Sequence, residues 1–509
     1  MAFARTLALA LSGVDGHVVE VEADLSAGLP GLTFTGLADA AVVEARDRIR
    51  AAVLNSGADW PNRRITLALL PADVRKVGSR FDLAMALAVL ASAGAVPPGS
   101  IAGAAWIAEL GLDGRLRPIR GALPAVIAAK RAGIRHVVVA EGNAAEAALV
   151  TGVDIRAAQN LAEVIAWLRG DGPPPAAAVP GVAVAADAGP DLAEVAGQGA
   201  ARRALEVSAA GAHHLYLVGP PGAGKTMLAE RLPGLLPELD DSAALAVTAV
   251  HSVAGALPKH GQLLRRAPFQ APHHTASVAA LVGGGSGLAG PGAISLAHQG
   301  VLFLDEAPEF NPNALNGLRQ PLERGEVVLH RSSGAVTYPA RFLLVLAANP
   351  CPCGSRAREC SCAPAARRRY RQRLSGPLLD RIDIRMSVDP VPRAELLAES
   401  SQREATAAVA ARVSTARSAA GERWRDLGWR TNAEASGQLL RQRPWRLPRA
   451  AVASAERHLD RGALSARGFD RVLRLSWTVG DLAGHTVPDA GDVDEAVFMR
   501  TGRAEAWAA

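Results

Sequence analysis

The sequence His214-Leu-Tyr-Leu-Val-Gly219-Pro220-Pro221-Gly222-Ala223-Gly224-Lys225-Thr226 decides the fold. Its apolar residues predict a buried strand, its glycine-rich part matches the G-x-x-x-x-G-K-[ST] pattern, and Met227 to Leu232 predicts a helix. In this pattern the glycines let backbone N–H groups approach phosphates, the lysine reaches the β- and γ-phosphates, and the threonine hydroxyl binds Mg²⁺. The stretch therefore predicts a site for ATP and Mg²⁺, with Gly219 to Thr226 as the nucleotide-binding loop.

A second stretch, Val301 to Glu306, predicts the other half of this site. Four apolar residues, typical of a buried parallel strand, are followed directly by Asp305 and Glu306. A carboxylate at the end of such a strand can hold Mg²⁺, and the next one can polarise the attacking water. We therefore expect Asp305 to bind Mg²⁺ together with Thr226, and Glu306 to be catalytic.

The composition is that of a folded protein with several domains. The chain has 509 residues, of which 49% are hydrophobic and 20% charged, and its formal net charge is +6. A positive charge favours a polyanionic partner, although a mildly basic enzyme has the same balance. No apolar run approaches the length of a membrane span, and Leu7 to Leu11 is too short for a signal-peptide core. We expect a cytoplasmic protein that makes no membrane contact.

Shifts in composition divide the chain into three folded regions and one linker. Residues 1–170 alternate short strands with helices, which predicts a compact α/β domain. Residues 171–190 are rich in Pro, Ala and Gly, as exposed linkers are. Residues 191–395 contain both nucleotide-binding stretches, and residues 396–509 predict helices. The predicted fold class is therefore α/β with an all-α C-terminal domain.

The four cysteines lie close together, which argues against a disulfide framework. Cys351 and Cys353 form one C-x-C pair, and Cys360 and Cys362 form another. Four thiolates at this spacing can close around a structural Zn²⁺ and leave no open position for a substrate. Redox-active disulfides and plain thiols are alternatives that the spacing leaves open.

An arginine run with one tyrosine, Arg367 to Arg373, follows the cysteines. Its guanidinium groups can bind a phosphate backbone, and Tyr370 can stack on a base. A solvated charged surface is the alternative interpretation of this run.

Several segments resemble the ComM/YifB family of Mg-chelatase-like AAA+ ATPases. They are Gly28-Leu-Pro-Gly31, Pro71 to Ser79, Gly111 to Ile119, Asn349-Pro-Cys-Pro-Cys-Gly354 and Leu378-Leu-Asp-Arg-Ile-Asp383. The resemblance implies a Lon-protease/S5-like α/β N-terminal domain, a central AAA+ parallel αβα sandwich with a helix-2 insert, and a C-terminal all-α lid.

The likeness to the Lon protease domain does not include its catalytic dyad. Ser79 falls on the serine position, but the register of Pro118-Ile-Arg-Gly121 places Leu123 where the lysine would be. We therefore expect no peptidase activity, and we expect Lys76 to be a surface or DNA-facing charge.

The resemblance also assigns three catalytic residues outside the two nucleotide-binding stretches. Asn349 matches the sensor position that orients the water or the γ-phosphate. Arg381 resembles the arginine finger that completes a neighbouring subunit's site, although a salt bridge to Asp380 or Asp383 is the alternative. Arg467 resembles the second sensor arginine, which contacts the γ-phosphate. The resemblance therefore implies a ring, and specifically a homo-hexamer.

The resemblance implies a DNA-contacting surface that is formed by two insertions, and the sequence predicts both of them. One spans residues 262–296, and the other is a hairpin whose strands, residues 326–330 and 335–338, flank a tip that begins at Arg331. Helix-2-insert motors carry such elements into the ring pore. Nearby basic residues favour a grip on the phosphate backbone, although two surface loops would have the same pattern. These residues are Lys259, Arg265 and Arg266.

The residues and the resemblance together predict an ATP-hydrolysing ring motor that acts on single-stranded or branched DNA. By family implication it is a helicase for branch migration in recombination and natural transformation. A Mg-chelatase-type motor subunit and an ATP-dependent scaffold that remodels a protein partner are the alternatives. Stimulation of ATPase activity by DNA distinguishes the first of these from the others.

Overall fold

The computed structural model describes residues 3–36, 40–181, 189–258, 261–285, 289–331, 334–354, 360–397 and 403–502. Within these ranges the chain has a mixed α/β fold with a parallel sheet and a C-terminal helical region. None of the helices in the described ranges is both long and apolar enough to cross a membrane.

The N-terminal region is built on an eight-stranded sheet with the order β10-β9-β8-β5-β1-β2-β4-β3. Its elements are β1 (Phe3–Ser12), β2 (Asp15–Ser26), β3 (Gly31–Thr35), α1 (Ala40–Asn55), β4 (Arg64–Leu70), α2 (Asp82–Ser92), α3 (Pro98–Ile101), β5 (Ala104–Ile107), β6 (Glu109–Leu110), β7 (Leu116–Arg117), α4 (Ala122–Arg131), β8 (His136–Ala140), α5 (Ala144–Ala147), β9 (Asp154–Ala158), α6 (Leu161–Arg169) and β10 (Ala176–Ala177). Helix α2 is buried at every residue, as its apolar composition on all sides predicts.

Part of the predicted linker belongs to this sheet. β10 pairs antiparallel with β9, with Ala176 opposite Ala157. The sequence did not predict this strand, because a two-residue edge strand of alanines has no alternation of polar and apolar residues. Residues 182–188 lie outside the described ranges.

The central region contains a five-stranded parallel sheet with the order β12-β15-β18-β11-β19. Its elements are α7 (Gly199–Gly211), β11 (Leu215–Val218), α8 (Lys225–Leu235), α9 (Asp241–Ala254), β12 (Phe269–Gln270), α10 (Val278–Val282), β13 (Gly283–Gly284), β14 (Gly290–Pro291), α11 (Ala293–Leu296), β15 (Val301–Leu304), α12 (Pro312–Gly317), α13 (Arg319–Arg324), β16 (Glu326–Arg331), β17 (Gly334–Pro339), β18 (Leu343–Ala348), α14 (Pro364–Gln372), α15 (Gly376–Leu379), β19 (Ile384–Ser387) and α16 (Arg393–Leu396). Apolar clusters cover both faces of the sheet. Because all five strands are parallel, the residues that follow β11, β15 and β18 meet at one edge.

The predicted hairpin is confirmed and is slightly longer than expected. β16 and β17 pair antiparallel from Glu326 opposite Pro339 to Arg331 opposite Gly334. The two tip residues and the side chain of Arg331 lie outside what the structure describes, so the predicted role of that side chain stays a prediction.

Helix α9 joins the central region to the N-terminal region. It packs against α4, and the backbone N–H of Gly121 donates to the carbonyl of Ser252 at 3.2 Å. The Glu146 carboxylate accepts from the Ser252 hydroxyl and from the backbone N–H of Leu123. Burial raises the pKa of Glu146. The position that a Lon-type lysine would occupy is thus part of an interdomain contact.

The C-terminal helices are α17 (Thr406–Arg423), α18 (Gly437–Leu440), α19 (Arg449–Asp460), α20 (Ala466–Ala483) and α21 (Ala490–Thr501). Their core contains Trp424, whose ring centroid lies 4.7 Å from that of Trp445, with the Arg423 guanidinium over Trp477. The helical region predicted from residue 396 onward begins with α17 at Thr406, because α16 ends at Leu396.

Candidate functional site

The loop from Gly219 to Thr226 connects β11 to α8 and curves as the sequence pattern predicts. Gly219 must be a glycine because a Cβ there would lie 2.1 Å from the carbonyl oxygen of Val388. Gly224 has φ +91°, in the left-handed region that favours glycine. Helix α8 begins at Lys225, two residues earlier than predicted, so the lysine and threonine side chains start the helix. This geometry leaves backbone N–H groups available to an anion.

The Lys225 ammonium group lies over the loop that would hold phosphates. Its Nζ donates to the carbonyl oxygens of Gly219 at 2.8 Å and Pro220 at 3.0 Å, and to Asn349 Oδ1 at 3.2 Å. Burial lowers the pKa of Lys225, and the carboxylates of Asp305 and Glu306 oppose that shift. The structure therefore unites the predicted lysine with the predicted sensor asparagine.

Thr226 and Asp305 meet as the sequence predicts for a shared magnesium ion. The Thr226 hydroxyl donates to Asp305 Oδ2 at 2.7 Å, although the two residues are 79 positions apart in the chain. A hydroxyl and a carboxylate are oxygen ligands of the kind that Mg²⁺ prefers. These two side chains could hold the ion between them and a bound phosphate.

Glu306 adjoins Asp305 and has a contact that the sequence did not indicate. Its φ is +50°, and its backbone N–H donates to Asp305 Oδ1 at 2.9 Å. Its Oε2 lies 3.2 Å from Nδ1 of His274. The His274 ring in turn lies 4.1 Å, centroid to centroid, from that of His273. His274 was missed because no local spacing relates it to an acid 32 residues away.

Tyr370 is not available to stack on a base, and this prediction is wrong. It is 5% exposed, and its hydroxyl is in hydrogen-bond contact with the backbone of Asn349. Burial raises its pKa to about 12. Tyr370 packs beneath Asn349 because the amphipathic helix α14 turns its one aromatic residue inward. The neighbouring Arg373 pairs with Glu309 at 2.5 Å.

The four cysteines come together in one cluster. The Sγ atom of Cys351 lies 3.0 Å from that of Cys353 and 3.3 Å from that of Cys360, and the Sγ atom of Cys362 is within 4.8 Å of the others. This separation fits a tetrahedral four-sulfur site, so these residues could hold Zn²⁺. The cluster adjoins the nucleotide loop, since a Cβ on Gly354 would lie 2.8 Å from Pro221.

Arg381 and Arg467 lie together, but away from the chain's own nucleotide loop. Arg381 donates to the carbonyl of Pro377 at 2.5 Å and pairs with Glu323, while Arg467 lies 4.0 Å from Asp380. Both line a cavity of about 280 Å³ together with His214, Glu323, Asp380, Asp383, Arg471 and Arg474.

The position of this cavity follows from the strand directions. His214 precedes β11, whereas Gly219 follows it. At about 3.3 Å per residue, the two ends of the strand are roughly 16 Å apart. The arginine-rich cavity therefore lies at the amino edge of the parallel sheet, and the nucleotide loop lies at the carboxyl edge.

A buried carboxylate ties the cavity to the C-terminal helices. Asp383 pairs with Arg471 of α20 and lies 3.3 Å from Nδ1 of His213. Burial alone would raise its pKa, but the positive charge of Arg471 and the contact with His213 hold the pKa well below its usual range. His213 Nε2 also contacts the Thr478 hydroxyl at 2.7 Å. The sequence did not predict this network, because Asp383 looked like an alternative partner for Arg381.

The charges predicted to face DNA have different outcomes. Lys76 has an exposed fraction of 0%, so its surface position is wrong; burial lowers its pKa, and its ammonium group donates to the carbonyl of Pro71. Arg265 pairs with Asp241 at 2.7 Å. Lys259 lies outside the described residues. Ser79 donates to Glu109, and Leu123 is buried in the apolar core.

Comparison with known proteins gives matches along the chain. Family models described as magnesium chelatase, subunit ChlI, match residues 21–143 and 191–396, and a model of the C-terminal part of that subunit matches residues 403–500. An uncharacterized protein of Mycobacterium tuberculosis is 53% identical over 508 residues, which cover 99% of each chain.

Two further relatives carry family names. The uncharacterized protein YifB of Escherichia coli is 40% identical over 494 residues, covering 96% of this chain and 95% of YifB. The competence protein ComM of Haemophilus influenzae is 40% identical over 490 residues, covering 95% of this chain and 94% of ComM. With the loop, the acidic strand and the five-stranded parallel sheet, these matches settle the family. The chain belongs to the ComM/YifB family of Mg-chelatase-like AAA+ proteins.

Proposed function

We propose that this protein is an ATP-hydrolysing ring motor that moves along DNA. The observation that carries the ATPase part is the convergence of four side chains at one sheet edge: Lys225, Thr226, Asp305 and Asn349. They come from three separate stretches of sequence. A structural role alone would not require a buried ammonium group, a hydroxyl–carboxylate pair and an amide around one glycine-rich loop.

The chain's own side chains divide the work of hydrolysis between them. Lys225 would exchange its contacts with loop carbonyls for the β- and γ-phosphates of ATP. Thr226 and Asp305 would hold Mg²⁺, which neutralises charge on those phosphates when bound. Glu306 would accept a proton from the attacking water, and Asn349 would orient that water or the γ-phosphate.

Arg381 and Arg467 would serve a neighbouring subunit. At the amino edge of the sheet they are too far from the chain's own nucleotide loop to reach a γ-phosphate there. A second copy whose nucleotide loop faces this cavity would receive both guanidinium groups, which stabilise charge as the phosphate leaves. The site is complete only between subunits, and a closed ring satisfies this requirement at every interface. We propose a homo-hexamer on the family likeness.

DNA as the partner is supported by the net charge, by the β16–β17 hairpin and by the name of one relative, a competence protein. We propose single-stranded or branched DNA as the substrate and branch migration during recombination and natural transformation as the task. Such work would place the protein in the cytoplasm.

The cysteine cluster would hold one structural Zn²⁺ beside the nucleotide loop. Four sulfurs leave no coordination position for a substrate, so the ion would stiffen the segment between Asn349 and α14. The contact of Gly354 with Pro221 would then transmit that stiffness to the nucleotide loop.

A second candidate function is remodelling of a protein partner. The magnesium chelatase description of all three matching family models favours it. The two candidates separate in one experiment, in which ATPase activity is measured with single-stranded DNA, with forked DNA and with neither. Stimulation by DNA together with unwinding of the fork supports the motor on DNA. An active ATPase that neither DNA changes at low salt would refute it.

A further inference from the structure

The loop that joins α18 to α19, residues 441–449, carries an unusual concentration of arginine. Within nine residues it contains Arg441, Arg443, Arg446 and Arg449, all of them exposed. We call this segment the basic lid loop. It lies in the C-terminal helical region, far along the chain from the β16–β17 hairpin and from the site described above.

Three of the four guanidinium groups have no protein partner among the residues that the structure describes. Arg441 pairs with Asp470, whereas no carboxylate within the described ranges lies at ion-pair distance from Arg443, Arg446 or Arg449. Some arginines of the same region are paired within the described part of the chain, as Arg423 is with Asp481. Arg443, Arg446 and Arg449 lie within seven residues of one another, so their unpaired positive charge is concentrated in this loop.

The loop is fixed in place rather than free to reorient. Trp445 packs against the core with its ring centroid 4.7 Å from that of Trp424 and 6.0 Å from that of Trp477. Leu447 is 4% exposed, and the backbone N–H of Arg446 donates to the carbonyl of Gln442 at 2.8 Å. The apolar side chains of the loop thus face inward, and its arginines face solvent from a rigid support.

The placement of Arg449 is electrostatically unfavourable in the protein alone. It is the first residue of α19, where the helix dipole favours negative charge. A bound anion would relieve both this repulsion and the repulsion among the three arginines. Guanidinium groups bind phosphate oxygens in a bidentate manner, and they do so without regard to base sequence.

We infer that the basic lid loop is a second contact surface for the phosphate backbone of DNA, separate from the hairpin. The loop suits a nucleic acid better than a protein because its apolar side chains are turned inward, whereas the centres of protein interfaces expose aromatic and apolar groups. This inference rests on the proposed action on DNA and adds a surface to it.

The test is the salt dependence of DNA binding. Each phosphate contact contributes about 0.7 to the slope of log K against log salt for single strands and about 0.9 for duplex. The triple variant Arg443→Gln, Arg446→Gln, Arg449→Gln should therefore have a slope shallower by about 2 on a single-stranded oligonucleotide and by about 2.7 on a duplex. The single variant Arg446→Gln is a milder change. Its slope should be shallower by the contribution of about one phosphate contact on either probe.

A matched control removes the same charge elsewhere. Arg46, Arg63 and Arg135 are exposed, dispersed over the N-terminal region and free of ion pairs within the described part of the chain. Their triple replacement by Gln should leave the slope of the wild-type protein unchanged.

Each outcome decides the inference. Slopes of the basic-loop variants equal to that of the control would overturn it, as would loss of ring assembly by the triple variant, which would make the loop a subunit contact. If the wild-type protein itself binds neither probe at low salt, the proposed function fails instead.

Discussion

Arg381 lies away from the nucleotide loop of its own chain, so we predict that mixing two inactive variants restores ATPase activity. Lys225→Ala removes the ammonium group from the loop, and Arg381→Ala removes the guanidinium group at the opposite sheet edge. Each variant alone should lose ATPase activity, the arginine variant by about 10³-fold or more, because it lacks the group that stabilises charge in the transition state. Neither substitution removes an apolar core side chain, so both variants should fold and assemble.

The fraction of ATPase activity that returns when the two variants are mixed can be estimated from how the subunits pair. If the proposed shared site is correct, an active interface needs an intact loop from one subunit and an intact arginine from its neighbour. In rings assembled from an equal mixture, an Arg381→Ala subunit faces a Lys225→Ala subunit in the productive order at about one quarter of the interfaces. The mixture should therefore recover up to about a quarter of the wild-type ATPase rate, if the sites act independently. The same arithmetic applies to Arg467→Ala mixed with Lys225→Ala.

The assay is steady-state ATP hydrolysis after the two variants are mixed, exchanged at low protein concentration and reassembled with nucleotide. As controls, each variant alone is taken through the same exchange and reassembly at the same total protein concentration. If the mixed rings are no more active than the average of the separate variants, Arg381 acts within its own chain and the shared site is refuted.

The roles of Glu306, Gly219, the cysteine cluster and Asp383 can each be tested by substitution. Glu306→Gln should lower the rate of hydrolysis by at least about 10²-fold while a non-hydrolysable ATP analogue binds as before, and an equal loss of binding would contradict the assignment. Gly219→Ala should destabilise the fold by about 1–3 kcal/mol, seen as a lower thermal midpoint, because its Cβ meets the backbone of Val388. Metal analysis should find about one zinc per chain, and less in Cys351→Ser but not in the neighbouring control Ser361→Ala. In the folded state the pKa of Asp383 lies below its usual range. The carboxylate therefore stabilises the fold at pH values above the ordinary pKa of an aspartate, and this stabilisation is lost as the pH falls toward the lower pKa of the folded state. The difference in free energy of unfolding between wild type and Asp383→Asn should thus stay constant near neutral pH and shrink below about pH 4; a constant difference throughout would refute the network.

The parts of the fold that the sequence predicted best are those with a strong local pattern. The nucleotide loop, the acidic strand and the hairpin follow from glycine spacing and from short apolar runs. Helix α2 is recognisable because it is apolar on all sides. The start of the C-terminal helices at Thr406 instead of near residue 396 was missed because alanine-rich sequence favours a helix on either side of that point.

The parts that the sequence could not predict depend on contacts between distant residues. His274 reaches Glu306, and Asp383 binds Arg471, only because separate elements pack together. The sequence also failed to predict which polar side chains are buried. Tyr370 and Lys76 were expected at the surface, yet both are buried. A charged or aromatic residue in a polar stretch reveals its surroundings only when the packing of neighbouring elements is known.

The proposal that ATP hydrolysis at Lys225, Asp305 and Glu306 drives movement on DNA can be tested by a titration with DNA. ATPase activity is recorded against increasing single-stranded DNA at low salt, alongside the oligomer size with ATP. We expect a ring whose hydrolysis rate rises and saturates with DNA, and a Lys225→Ala variant with no activity under any condition. A rate that stays constant as DNA is added to an assembled, ATP-hydrolysing ring would contradict it.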